Sequence, residues 1–470
     1  MFERLFSLSE HGTTVKTELL AGLTTFLTMA YIIFVQPAVL SGTMFGFETG
    51  MDFGAVTTAT CLAAALASSI MALYGRYPIA LAPGMGENFF FVFSVIPAAA
   101  AAGWPDPWKV AMGVVLISGI LFYLVYLTGI RETIFNSISP SMKNGIAVGI
   151  GLFIAFIGLQ NAGIIVKDPG TAVKLNPCFA SPDFLVFAVG LLTAAALHTR
   201  RIRGALLAGI FAATVTAICL RLLLPLFPLS RTVAESKLMT MFALNRLAHG
   251  PVSLPPSLRP TFLQFDLRHA LSASMWPFII IFLFMDTFDT VGTLIGVAEQ
   301  AGFIKDNKLP RAREAMLADQ AGTLIGACLG AGTTTSYIES AAGVEAGGRT
   351  GLTSLTTAAL FLLALFFSPL VALVGSHPPI TASALVIVGA MMMKNAVRID
   401  WSDYSEGVPA FLTALGIPLT YSIGDGLALG FISYPLIKFL AGRGREVSLF
   451  MYAMAAILLA YFIFVRVRIP

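Results

Sequence analysis

The chain has 470 residues, of which 57% are hydrophobic and only 11% charged, against about 25% charged in a soluble globule. Apolar runs of about twenty residues recur from end to end, which predicts an all-α polytopic membrane protein; a β-barrel would alternate instead. The formal charge of +4 is spread over loops and does not make a nucleic-acid surface.

In chain order, a polar amphipathic stretch, residues 1–18, carries no cleavable signal pattern. Spans are expected near 19–40, 55–74, 79–97, 109–129, 142–160, 184–198 and 204–224. After a long polar loop, 225–271, they continue at 272–296, 313–330, 332–346, 352–374, 380–396, 407–421 and 424–440. That is about fourteen segments in two sets of seven. A further run, 449–465, has no counterpart in the first set. Gln36-Pro37 is expected to kink the first span near its end.

Basic residues set the orientation. With the N-terminus inside, the inside loops hold Arg76, Arg131, Lys143, Arg200, Arg201 and Arg203. They continue with Lys305, Lys308, Arg311, Arg313, Arg349, Lys394, Arg398, Arg443 and Arg445. The outer loops are poor in Lys and Arg, with Lys167 and Lys174 as the main exceptions. An odd number of spans per half makes the second half enter from the opposite side, an inverted repeat. Asp183 precedes Leu192-Thr193-Ala194 at the distance at which Asp403 precedes Leu412-Thr413-Ala414.

The third span of each half is a poor helix at its start. The first reads Pro78-Ile79-Ala80-Leu81-Ala82-Pro83-Gly84-Met85-Gly86-Glu87-Asn88. The second reads Gly330-Ala331-Gly332-Thr333-Thr334-Thr335-Ser336-Tyr337-Ile338-Glu339-Ser340. Pro, Gly and a Thr run favour extended backbone. Broken segments at membrane depth are tolerated where they line a cavity or are buried in protein, and matching breaks in two halves point to a transporter site.

The segment SASMWPFIIIFLFMDTFDTVGTLIG, 272–296, carries Asp286 and Asp289 past its middle. A carboxylate there costs roughly 2.5–3.5 kcal/mol against lipid. At a spacing of three the pair shares one helical face with Thr290 and Thr293, so a polar stripe is expected to look inward. Cys61, Cys178, Cys219 and Cys328 show neither metal spacing nor a disulfide framework. His11, His198, His249, His269 and His377 lie outside the middles of spans, and no two have ligand spacing. No metal site or cofactor is expected, and no nucleophile–base pair marks an intramembrane enzyme.

IIFLFMDTFDTVGTLIGVAEQAG and KLPRAREAMLADQAGTLIGACLGAGTTTSYIESAAGVEAGGRTGLTSL strongly resemble the purine permeases of nucleobase–cation symporter family 2, in its azaguanine-like (hypoxanthine/adenine/guanine) branch. TFLTMAYIIFVQP, APGMGENFFF, NGIAVGIGLFIAFIGLQNAG and IDWSDYSEGVPAFLTALGIPLTYSIGDGLALGFISY agree, so the likeness covers most of residues 1–445. The resemblance implies a seven-plus-seven inverted repeat with short extended stretches in spans 3 and 10. It implies core-domain helices in 1–130 and 272–375, gate helices in 131–224 and 376–441, an outer loop over 225–271, and a tail or extra helix over 442–470. It implies proton-coupled purine uptake by an elevator-like motion across the plasma membrane. It places the family's eighth-span carboxylate on Asp286, with Asp289 a turn on, its tenth-span carboxylate on Glu339 and its third-span amide on Asn88. Glu87, Phe89 and Gln36 depart from the family's usual residues.

A purine is planar, with N–H donors and ring acceptors. Asp286 and Glu339 can accept from such an edge, and Asn88 can give and accept. N–H groups near Gly84–Gly86 and Thr334–Ser336, with Thr335 and Ser336 among them, are expected to meet its carbonyl oxygens. Phe89, Phe90 or Tyr337 are candidates to stack on the ring. Asp286, Asp289, Glu87 and Glu339 are the candidate proton carriers, with Glu339 chiefly holding the base. Asp425 is expected to cap the last gate helix, Asp319 to pair with a basic inside loop, and Lys394 and Arg398 to be ordinary inside charges. The competing readings are a pyrimidine or xanthine permease, an anion carrier for sulfate or bicarbonate, and a channel. Embedded acids argue against the anion carrier. Partners are the purine, the proton and lipid; the sequence leaves a homodimer open.

Overall fold

The structure, a computed structural model, describes residues 2–128, 138–177, 181–226, 231–247, 250–303 and 309–464. Arg131, Cys178, His249, Lys305, Lys308 and the last residue of the run 449–465 lie outside the described residues. Among the described residues, 10 helices are long and apolar enough to cross a membrane. They fall on spans 1, 2, 4 to 8, 11, 12 and 14 of the sequence reading. The others have visible reasons to fall short. The third and tenth are part strand, the ninth (Ala312–Leu329) carries Arg313, Glu314 and Asp319, and the thirteenth (Tyr404–Thr420) is only 17 residues long. The order is that of a seven-plus-seven inverted repeat, with its two broken spans at matching positions.

Most helix ends fall within a few residues of the expected ones. The eighth span is Trp276–Ala301 rather than 272–296; Pro277 suits a first turn, where a missing N–H leaves no bond unmade. The first span is two helices, Val15–Met29 and Ile32–Leu40. Its break falls at Ala30-Tyr31, before the Gln36-Pro37 expected to kink it, and Pro37 sits inside the second piece. Short i→i−3 bonds, Ile33 to Ala30 and Phe34 to Tyr31, tighten the junction. Asp425 is not the cap of Ile423–Leu440. Ser422 is, its side chain accepting from the N–H of Asp425, which occupies the first turn. Lys394 and Arg398 are exposed. Two features of the loops 161–183 and 225–271 were not expected: an antiparallel hairpin, β2 (Ile165–Asp168) with β3 (Ala172–Leu175), and a short helix, Lys237–Thr240. Asp183 holds the start of that helix through the N–H groups of Lys237 and Leu238, both at 2.9 Å.

The chain forms two compact units, one of Met1–Gly84, Phe156–Leu263 and Asp289–Ile387, the other of Met85–Ala155, Gln264–Phe288 and Val388–Pro470. The first is packed through small residues, as membrane helices are. A Cβ at Gly351 would stand 2.0 Å from the carbonyl oxygen of Ala72. Glu18, wholly buried, accepts from the N–H groups of Arg349, Thr350 and Thr353 and from both Thr hydroxyls, and so anchors the start of Gly351–Ala364. A carboxylate at a helix N-terminus fills orphan donors and meets the positive end of the helix. The second unit is aromatic. Phe90 packs on Phe278 and Phe282, and Phe93 on Phe153 and Tyr421. At one end of it the buried Lys438 lies 2.9 Å from Glu406 and 3.0 Å from Glu446. Leu449–Phe464 forms the extra terminal helix.

Candidate functional site

The two broken spans build the site in the first unit. Pro83 has no N–H to give a helix, and the β-branched run Thr333–Thr335 resists one. They form β1 (Leu81–Pro83) and β4 (Thr334–Ser336), paired antiparallel with Leu81 opposite Ser336, Ala82 opposite Thr335 and Pro83 opposite Thr334. The pair extends past its ends. The N–H of Gly84 bonds the carbonyl of Thr333, that of Tyr337 bonds the carbonyl of Ala80 (both 3.0 Å), and the Tyr337 hydroxyl reaches the carbonyl of Pro83 at 2.5 Å. Ser68 brackets Leu81 from below, its hydroxyl bonding both the N–H and the carbonyl. The N–H groups of Gly84 and Ser336, expected to meet a ligand, are therefore taken up within the protein. Two broken segments of opposite sense satisfy each other's backbone where no water can.

Asp319 is the centre of this framework. Among the described residues it does not pair with a basic loop. It is fully buried and accepts from the N–H of Ser336 at 2.7 Å, from the Ser336 hydroxyl at 2.6 Å and from the Thr290 hydroxyl at 2.6 Å. Thr290 in turn lies 3.2 Å from the Thr335 hydroxyl. The carboxylate thus ties the eighth, ninth and tenth spans together. Gln36 adds a tie from the first span, its side-chain N–H bonding the carbonyl of Ala331 at 2.9 Å.

Glu339 stands at the turn between β4 and the helix Ser340–Glu345, where its side chain makes no cap bond. It is half-buried. The Tyr31 hydroxyl donates to its Oε1 at 3.0 Å, and the Thr28 hydroxyl reaches its backbone carbonyl at 3.3 Å. Asp289 is exposed and feels the charges of both Asp319 and Glu339. The first unit therefore grades three acids: Asp319 sealed, Glu339 half-open, Asp289 open.

The second unit holds the other candidates. Glu87, Asn88 and Phe89 lie buried on the helix Met85–Phe90, and Asp286 is buried on Trp276–Ala301. Phe89 packs among aromatics, 6.1 Å from Phe153 and 6.2 Å from Phe93. Asp286 and Asp289, expected to share a face, differ in exposure. Three residues turn a helix by about 300°, so the two side chains diverge by about 60°, enough for one to be covered and its neighbour open. Sequence reasoning missed Tyr31 and Glu18 and misread Asp319. An acid within an apolar span was the available signal for Asp319, the same signal that singled out Asp286.

Paired broken spans within an inverted repeat, with acids set at their junction, define a polytopic membrane protein of transporter architecture. The same fold occurs in the transmembrane domain of the cyanobacterial bicarbonate transporter BicA, with a TM-score of 0.60 at 14% identity over 88% of this chain and 97% of that one. The chain belongs to the permease family Xan_ur_permease, whose model matches residues 16–429. It is 43% identical to the guanine/hypoxanthine permease PbuG of Bacillus subtilis over 466 residues, 98% of this chain and 99% of the relative. It is 38% identical to the adenine permease AdeQ of Escherichia coli over 455 residues, 97% and 94% of the two chains.

Proposed function

We propose that the chain imports purine nucleobases (adenine, guanine or hypoxanthine) by proton symport, through an elevator-like motion, with its N-terminus on the cytoplasmic side of the plasma membrane. The observation that carries the reading is the half-open Glu339 at the turn after β4, fixed on one side and accessible on the other. The relatives named for guanine, hypoxanthine and adenine align along nearly the whole chain. In this reading Glu339 accepts from the N–H edge of the base, and Asp286 and Asn88 are kept as further candidate substrate-binding residues. Thr335 and Ser336 act as its frame, since Ser336 is held by Asp319. Phe89 shapes the space beside Asn88. Asp289, open and close to two other acids, takes the coupled proton, with Asp286 and Glu87 as the alternative carriers. Acids crowded in a low-dielectric region discharge by binding protons, and a neutral site crosses the membrane at lower cost.

The test is uptake of labelled adenine, guanine and hypoxanthine by cells lacking their own carriers, with uracil and sulfate as controls. Purine uptake alone is expected, and Glu339→Ala should abolish saturable uptake. Uptake of sulfate, or wild-type purine affinity in Glu339→Ala, would overturn the reading.

A further inference from the structure

Tyr31 lies where the first span breaks, between Val15–Met29 and Ile32–Leu40. It is 2% exposed, and a tyrosine so buried needs a partner for its hydroxyl. That partner is Oε1 of Glu339, 308 residues away, at 3.0 Å. Among the described residues no other side chain bonds this carboxylate. Thr28, one turn earlier on the same face, reaches the Glu339 carbonyl at 3.3 Å. The broken end of the first span thus grips both the backbone and the side chain of the residue that follows β4.

Resting on the purine-binding reading of Glu339, we propose that Tyr31 is its positioning residue. The hydroxyl fills one lone pair of Oε1 and fixes the carboxylate plane. The residue is otherwise only part-covered, which leaves its carboxylate able to accept from an N–H edge. Without Tyr31 the carboxylate would rotate among rotamers, and a purine would have to order it on binding. A hydrogen bond to a charged group is worth enough that its loss should raise KM roughly ten-fold.

The experiment compares Tyr31→Phe, Glu339→Gln and the double variant by initial uptake rates of labelled hypoxanthine and guanine, with melting temperature of each purified protein as the control for folding. Tyr31→Phe removes one oxygen and leaves the ring to pack. It is expected to raise KM roughly ten-fold, to leave Vmax within about two-fold, and to leave the melting temperature near wild type. In the Glu339→Gln background it should add almost nothing, because the two act as a unit. If Glu339→Gln raises KM and Tyr31→Phe does not, or if Tyr31→Phe weakens the Glu339→Gln protein as much as the wild type, the positioning role is wrong while the purine site stands. If both single variants keep wild-type KM, the purine-binding reading of Glu339 falls and takes this inference with it.

Discussion

Asp319 and Glu339 are both intramembrane acids, yet their surroundings assign them opposite tasks. Asp319 has its acceptor sites filled by Ser336 and Thr290 and has no exposed surface. Glu339 has one oxygen held by Tyr31 and remains half-open. Neutral donors stripped of a buried carboxylate keep their desolvation cost without a bond, roughly 1–3 kcal/mol for each group left unsatisfied. Asp319→Ala should therefore lower the melting temperature of the purified protein sharply, while Glu339→Gln should barely move it and should act on purine KM. Equal thermal losses in the two variants would show that the division of labour is misread. The exposure difference between Asp286 and Asp289 belongs to this scale too. Spacing placed both on one stripe, and only packing decides which of two neighbours on a stripe is covered.

At the scale of elements, the strand pair is what makes the broken spans tolerable. Its seat is narrow. A Cβ at Gly326 would lie 2.4 Å from the carbonyl oxygen of Gly332 and 2.4 Å from the Thr334 hydroxyl, so the Ala312–Leu329 helix can approach β4 only with glycine there. Gly326→Ala should displace β4, cost about 1–3 kcal/mol through overpacking, and cut transport along with stability. Unchanged melting and uptake would contradict the close approach. Much of this level was readable in the sequence. Pro83, the threonine run and the matching positions of two Gly-rich stretches announced two interrupted segments. Their pairing with each other was not readable, because a three-residue strand has no hydrophobic period from which to find its partner. For the same reason the N–H groups expected for a ligand went elsewhere, that of Gly84 to the carbonyl of Thr333 and that of Ser336 to Asp319. Asp319 was misjudged because the ninth span is the more polar one, and its acid looked like part of an inside loop. Tyr31 could not be found at all, since its partner lies 308 residues away.

At the scale of the whole molecule, the ionic cluster around Arg443 provides a stability test outside the spans. Arg443 donates to Asp403 at 2.6 Å and to Glu446, and Ser405 adds a further bond to Asp403. These bonds hold the Asp403 carboxyl well below the usual carboxylate range and lower that of Glu446 as well. A depressed carboxylate stabilises the fold fully above its unfolded value, near about 4, and loses that contribution as pH falls through the lower folded value. Arg443→Ala should therefore melt below wild type at neutral pH, and the gap should close as the buffer is taken below about pH 4. A gap that stays constant with pH would mean that the cluster contributes nothing through charge.

The central claim is that a purine docks at acids set beside two interrupted spans and that a proton crosses with it. Purified protein in sealed vesicles, supplied with labelled hypoxanthine and an imposed inward proton gradient, tests this most directly. The account predicts accumulation above the outside concentration, abolished by a protonophore and by Glu339→Ala. Uptake that only equilibrates, at the same rate with and without the gradient, would contradict it.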